Sequence, residues 1–551
     1  MPVSAKVFTS LLLASAFALP ALAQPAPAPA PQISVQTLRD VTKTLSADDF
    51  EGRAPTSAAE PKTIAYIADR FAKAGLKPGN NGKWTQDVPM VEIAVAPTAA
   101  MAFNGGKNPL TLAFKTDMVI STRQVRPQVK ISNSEVVFVG YGINAPEKRW
   151  NDYAGLDVRG KTVIILINDP DWDKPTVGGD FNGRAMTYYG RWTYKYEEAA
   201  RQGAAAAIIV HDTEPAAYPF SVVVSSWAKP TLNLDAANDH MDQSKAIGWM
   251  TADAASRLMA SAGQDLNALK LAAKTRGFKA VLLGLKLNVT LDNTIRRQLS
   301  HNVVGILPGT TRANEYVLYT AHWDHLGHCE PVKGDGICNG ALDNASGVAG
   351  LVALAEAAAM AGPTPRSQVF VSVTAEESGL LGSQYYAEHP IYPLSQTVGG
   401  VNMDVLNVSG KTRDVEVTGV GKSDLDDYVR RYAAAGGRTI SPESTPEKGH
   451  YYRSDHFSFA KLGVPMLAAS SGEDLVVGGV AAGKAASEDY TVNRYHKPQD
   501  EYVATWDWSG AVQDLTMYYG IAHELATTAA WPNWAVGDEF RAIRDQSRAG
   551  K

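Results

Sequence analysis

Residues 368–383 read "QVFVSVTAEESGLLGS". An apolar, β-branched run ends at two adjacent carboxylates, Glu376 and Glu377, and a Gly-punctuated segment follows. The run has the composition of an apolar strand. Neighbouring side chains diverge in a strand or its continuation, so the two glutamates cannot do one job.

Outward from this stretch the same texture repeats. From about Ile295 strands alternate with helices: "NVVGILPG" and "YVLYTA" read as apolar strands, and "NASGVAGLVALAEAAAMAG" as a buried helix. The strand "GGVNMDV" and the amphipathic helix "KSDLDDYVRRYAAAGG" continue the pattern. Alternation of this kind predicts an α/β fold with a mixed, largely parallel open sheet flanked by helices. Nearer the N-terminus, "SVQTLRDVTKTLSADDFEGR" and "AAEPKTIAYIADRFAKAGLKPG" have helical periodicity. The middle of the chain turns to strands, "QVKISNSEVVFVGYGI", "KTVIILIND" and "AAAAIIVHD", with one helix, "GRWTYKYEEAARQG", before the last.

Composition narrows the function classes. The 551 residues are 45% hydrophobic and 20% charged, with a formal net charge of −5. That is ordinary globular material, sufficient for about three to four domain-sized units. Nothing in it favours a nucleic-acid partner or an anionic membrane. Lys6, the apolar "VFTSLLLASAFALPALA" and the small-x-small ending Ala21-Leu22-Ala23 read as a secretory signal peptide, followed by a Pro/Ala linker. The mature chain is therefore expected outside the cytoplasm, periplasmic or extracellular, with no stable membrane insertion after cleavage. The two cysteines, Cys329 and Cys338, then read as one local disulfide.

In open α/β sheets functional groups gather beyond the carboxyl ends of strands. "YVLYTA" runs into His322, "QVFVSVTA" into Glu376-Glu377 and "GGVNM" into Asp404. Asp343 opens a helix, and His496 lies in "RYHKPQDEY". Each residue alone has a bland explanation: a buried histidine, an N-cap, a solvated helix start. Together they are a set of imidazole and carboxylate ligands suited to zinc, with one spare glutamate to act as a general base on an activated water. A carboxylate shared by two cations, a role for which Asp343 is well placed, is the mark of a two-metal site.

The ordered motifs "AHWDHLG", "LDNASGVAGL", "AEESGLLGS", "NMDV" and "YHKPQDE" resemble the co-catalytic double-zinc aminopeptidase family, which includes secreted bacterial aminopeptidases and glutamate carboxypeptidase. "DDFEGRAPTS" near the N-terminus also fits it, and residues 136–212 are similar to the β-rich protease-associated domain often inserted in this family. The resemblance implies two zinc ions per chain. His322 and Asp404 would sit on the first zinc, Glu377 and His496 on the second, and Asp343 would bridge them through a non-proline cis peptide to Asn344. Glu376 would be the general base, Asp324 an orienting partner of His322, and Tyr495 an oxyanion stabiliser. Arg453 matches a substrate-side position in some members, and His456 is a further substrate-side candidate. His325 and His328 read as loop residues rather than ligands.

The implied organisation is a signal peptide at 1–23, a linker at 24–33, and the N-terminal part of the catalytic domain at 34–120. The protease-associated domain follows at 121–290, the zinc peptidase domain at 291–530 and a C-terminal tail at 531–551. The activity expected is that of an exported metallopeptidase acting on peptides, first of all an aminopeptidase. A carboxypeptidase or dipeptidase is the alternative on the same fold. A glutaminyl cyclase would use one zinc, and a receptor-like binding protein would lack ligands or the glutamate pair. The aromatic patch "TYYGRWTY" is expected to be packing material.

Overall fold

The structure, a computed structural model, describes Met1 and residues 32–549. The stretch read as a signal peptide, apart from Met1, and all of the stretch read as a linker but its last two residues lie outside the described residues. The central element is a strand of 27 residues, Val281–Leu307. Its first part pairs with Gln128–Phe138, its middle with Thr85–Val95 and its end with Arg366–Val373, each antiparallel. One continuous strand thus belongs to two sheet regions, and the expected boundary at 290/291 falls inside it.

Beyond its end the sheet is parallel. Arg366–Val373, Arg312–His322, Thr397–Asn402 and Met466–Leu467 follow in that spatial order. These strands are buried on both faces, which is why they read as apolar runs without alternation. On Arg312–His322, Val317, Tyr319 and Ala321 face one core while Leu318 faces the other. The first core is closed by the helices Val35–Leu45, Gly347–Met360 and Ser509–Thr527, and the second by residues of Leu381–Glu388 and His456–Ala460. Gly347–Met360 is apolar around nearly its whole circumference and accordingly sits inside. Its one carboxylate, Glu356, is held by Thr37 at 2.7 Å and Arg70 at 3.1 Å.

The middle segment has its own cores and its own helices. Gln128–Phe138, Thr162–Leu166, Ala206–His211 and Ala246–Thr251 are parallel neighbours, with Met118–Ser121 antiparallel at the edge. Trp192–Arg201, Ala252–Ser261 and Leu266–Ala273 pack on them, so the segment is a small α/β layer rather than β structure alone. The patch at 187–194 is packing material: Tyr188, Tyr189 and Tyr194 are buried. Tyr188 meets Phe457 at 5.0 Å and Tyr452 at 6.0 Å between ring centroids, so the two parts share an aromatic core. Lys461–Glu197 at 2.7 Å and Arg184–Glu447 at 3.0 Å add ion pairs across the same junction. The segment read as a tail is also packed, with Trp534, Phe540 and Arg544 buried and Arg544 donating to the carbonyls of Thr397 and Val398.

Cys329 and Cys338 are disulfide-bonded within the hairpin Gly327–Val332/Asp335–Cys338. The hairpin rests on the turn at Gly52 (φ +64°), where a Cβ would stand 2.4 Å from the Cys338 carbonyl oxygen. We expect replacement of both cysteines by serine to lower unfolding stability by about 2–3 kcal/mol, the loop-entropy value for a ring of this size. Urea melts of the wild-type and double-serine proteins measure it, and unchanged stability contradicts the expectation.

Candidate metal centre

Register brings the strand ends together. His322 pairs with Val373 and Thr320 with Asn402, so His322, Glu376 and Asp404 leave the sheet at one edge. Three residues at this edge carry left-handed backbone without being glycine: Ala375 (φ 52°), Val405 (φ 58°) and His496 (φ 59°). Such conformations cost of order 1–3 kcal/mol each and persist only where the surroundings enforce them. They stand just before Glu376, just after Asp404 and at His496 itself. The Asp343–Asn344 peptide is cis.

Asp343 stands between the two histidines. Its Oδ1 is 3.4 Å from His322 Nε2 and its Oδ2 is 3.2 Å from His496 Nε2. On the first side Asp404 Oδ1 lies 3.3 Å from His322 Nε2. On the second side Glu377 Oε2 lies 3.0 Å from His496 Nε2. His322, Glu376 and Asp404 bring donor atoms close enough to share one ion, and so do His325, Asp343 and Glu377. Glu377 Oε1 and His496 Nε2 are buried without the alignment of a hydrogen bond. Orphaned donor atoms of these types, facing one another in two groups about a shared carboxylate, fit divalent zinc.

The electrostatics follow from crowding. Burial opposes charge on His322, but Asp404 and Glu376 outweigh it and hold the imidazole well above its ordinary range. Burial likewise opposes charge on His496, and Asp343 and Glu377 raise it to about 10. Glu376 is pushed far up by burial and by Asp404 and Glu377, against the pull of His322. Glu377 goes the other way, because His325 and His496 outweigh its burial. The protons kept on the two histidines are positive charge that the carboxylates demand, and metal cations can supply it instead.

Several roles differ in detail from the sequence reading. Asp324 was expected to orient His322, but its carboxylate lies 3.7 Å from Nδ1, which instead meets the Asp324 carbonyl at 3.2 Å. That carboxylate accepts from the backbone N–H of Glu376 at 3.0 Å and Glu377 at 3.4 Å, holding the glutamate turn; burial raises its pKa to about 8. His325 is a loop residue, yet it is buried with Nδ1 2.8 Å from Glu377 Oε1. His328 is exposed on the hairpin. Tyr495 stacks on His496 at 3.8 Å between centroids and is 44% exposed. His456 is buried against Tyr451, and burial lowers its pKa to about 4. Arg453 makes no ion pair among the described residues.

Two supporting residues had motif signals but no assigned role. Asp500, in "YHKPQDE", accepts from the backbone N–H of Leu342 and Asp343, both at 3.0 Å. Arg53, in "DDFEGR", is fully buried under the site. It donates to the carbonyls of Leu45 (2.6 Å), Asn339 (2.7 Å), Gly340 (2.8 Å) and Trp323 (2.9 Å). One guanidinium fork therefore ties the loop after His322 to the loop before Asp343. Burial lowers its pKa to about 10, with Asp500 and Asp324 opposing.

Residues 302–519 match the model of peptidase family M28. This part of the chain is thus similar to that peptidase family. Aminopeptidase NAALADL1 of Mus musculus is 28% identical over 164 residues, 29% of this chain and 20% of that protein. The Rattus norvegicus protein of the same name matches to the same extent. The chain thus aligns with about a fifth of the length of these relatives. Among solved structures, an aminopeptidase from Aneurinibacillus sp. strain AM-1 is 19% identical (TM-score 0.48), with 91% of this chain and 96% of that chain covered. The zinc aminopeptidase BSAP from Bacillus subtilis is 17% identical (TM-score 0.40), with 92% and 99% covered.

Arg53 offers a test of how the candidate site holds its donor loops. Arg53→Ala leaves four buried carbonyls without their donor. We expect a stability loss of at least about 3 kcal/mol, from several charge-assisted hydrogen bonds, and weakened zinc retention. Arg53→Lys should not restore either, since an ammonium cannot reproduce the planar fork. Denaturant melts with zinc analysis measure both; a lysine variant equal to wild type contradicts this role.

Proposed function

We propose that the protein is an exported, two-zinc metallopeptidase, and that it is an aminopeptidase releasing N-terminal residues from peptides. The observation that carries the reading is the shared carboxylate: Asp343 turns one oxygen to His322 and the other to His496. His322 and Asp404 would hold one zinc, Glu377 and His496 the other, with Asp343 between. Zinc held there would polarise the scissile carbonyl and make water a usable nucleophile near neutral pH. The M28 match and the aminopeptidase names of the relatives support hydrolysis of peptide bonds. Export is supported by the signal-like N-terminus and by the disulfide. The middle segment is assigned as an inserted protease-associated domain.

The chain's own groups divide the remaining work. Glu376, beside His322 and Asp404, takes the proton of the attacking water and returns it to the leaving amine. Glu377, its neighbour, points to the His496 side and serves as a ligand. Asp324 fixes the turn that separates them. Tyr495, stacked on His496 and partly exposed, would offer its hydroxyl to the developing oxyanion.

The two glutamates separate experimentally. Glu376→Gln should retain two zinc ions per chain and lose about 10²–10⁴-fold in kcat, the usual worth of a positioned general base. Glu377→Gln should lose zinc as well as activity, because an amide is a poorer ligand. Elemental analysis beside turnover of aminoacyl chromogenic substrates decides it. The reverse pattern of zinc loss exchanges the two roles, and unchanged turnover in both variants removes the chemistry from this site. Cleavage restricted to N-blocked peptides sinks the aminopeptidase assignment.

A further inference from the structure

His325 lies in "AHWDHLGH", in the loop that leaves the strand Arg312–His322. It is 1% exposed, and neither ring nitrogen makes an aligned hydrogen bond. Burying an imidazole in that state costs free energy unless another partner completes it. The ring is nevertheless seated with care. Gly340 has a left-handed backbone (φ 55°), and a Cβ there would stand 2.5 Å from His325 Cγ and closer still to the Asp343 carbonyl oxygen. Glycine at this position is what leaves room for the ring. The backbone N–H of His325 donates to the Arg53 carbonyl at 3.2 Å, while the Arg53 guanidinium holds the carbonyls of Asn339 and Gly340. The disulfide-bonded hairpin closes the chain between His325 and Gly340, so the two ends of that loop are fixed against each other.

The ring faces the second side of the metal centre. Its Nδ1 lies 2.8 Å from Glu377 Oε1, and Glu377 Oε2 lies 3.0 Å from His496 Nε2. Glu377 therefore turns one oxygen to each of two imidazoles, whose rings meet edge-on with centroids 5.7 Å apart. His325, Asp343 and Glu377 each offer a donor atom within 4.8 Å of the other two. Atoms bound to one zinc at about 2.0–2.2 Å stand roughly 3 Å from one another. The spacing here is of that size. An imidazole that only oriented Glu377 would aim its N–H along the line to Oε1. This contact has the distance of a hydrogen bond without its alignment.

We propose that His325 is a fourth protein donor to the second zinc, beside Asp343, Glu377 and His496. The proposal rests on the two-zinc reading and divides the work between the two ions. A zinc with four protein donors is closed, whereas one with three keeps a position open. The first side has His322, Asp404 and the shared Asp343, and Glu376 stands there. The second ion then holds the framework together, and the open position falls on the side of the general base.

The test begins with wild type and needs no variant. With cobalt(II) in place of zinc, each imidazole bound to an ion contributes one strongly shifted, solvent-exchangeable N–H proton to the NMR spectrum. Three such signals are expected, from His322, His496 and His325; two overturn the proposal. His325→Gln should lack one of the three. In chelator competition it should hold one zinc as wild type does and bind the other more than about 100-fold more weakly. Loss of a residue that only supports a ligand costs about 10–100-fold, so a change within or below that range overturns the assignment. Equal loss of both ions marks a merely structural residue and overturns it as well. Neither readout needs turnover. Wild type that shows three signals but cleaves no peptide removes the peptidase reading and leaves His325 a ligand. Wild type that cleaves peptides but shows two signals removes His325 alone.

Discussion

The carboxylate of Asp343 cannot face His322 and His496 at once unless the chain beneath it is held on both sides. Its own oxygens lie 3.4 Å and 3.2 Å from the two imidazoles. Glu376, Glu377 and Asp404 crowd into the same space, and four acids packed so closely repel one another unless cations intervene. The surrounding structure consists largely of devices that withstand this repulsion. Asp500 grips the backbone of Leu342 and Asp343, Asp324 grips that of Glu376 and Glu377, and Arg53 ties the carbonyls on either side. Left-handed backbone at Ala375, Val405 and His496 stores part of the cost in the chain itself.

These devices work because the sheet beneath them is rigid. The strands delivering His322, Glu376 and Asp404 are buried on both faces, between a helix layer that includes Gly347–Met360 and the smaller core around Phe459 and Tyr386. The long strand Val281–Leu307 then carries that rigidity into the middle segment without a break. A hinge would need a flexible connection; here the connection is a paired strand, reinforced by the Tyr188–Phe457–Tyr452 contacts. Side chains from the middle segment, Tyr188 among them, are therefore held at fixed places against the other part.

Much of the site could be read from the chain because parallel strands announce themselves. An apolar run that ends at His, Glu-Glu or Asp marks a strand end, and strand ends of one parallel sheet share an edge. The burial of His325 against Glu377, and the roles of Asp500 and Arg53, went unread for different reasons. His325 follows a strand in a loop, where nothing local distinguishes a buried imidazole from a solvated one. Asp500 and Arg53 act on backbone groups distant in sequence, and a backbone acceptor leaves no trace in residue identity. Asp324 was legible as a supporting residue, but the N–H groups it accepts from, at Glu376 and Glu377, are backbone groups distant in sequence.

The amino-acid sequence by itself determined the α/β alternation, the paired cysteines and the packing role of the 187–194 aromatics. These depend on burial pattern and residue chemistry, which are local properties. Tertiary structure alone decided that residues 281–307 are one strand crossing both parts, that the segment after 530 is packed rather than trailing, and that Tyr188 packs against Phe457. Each of these is a contact between residues far apart in the chain. Such contacts are set by how the layers stack, and no single stretch of sequence carries that information.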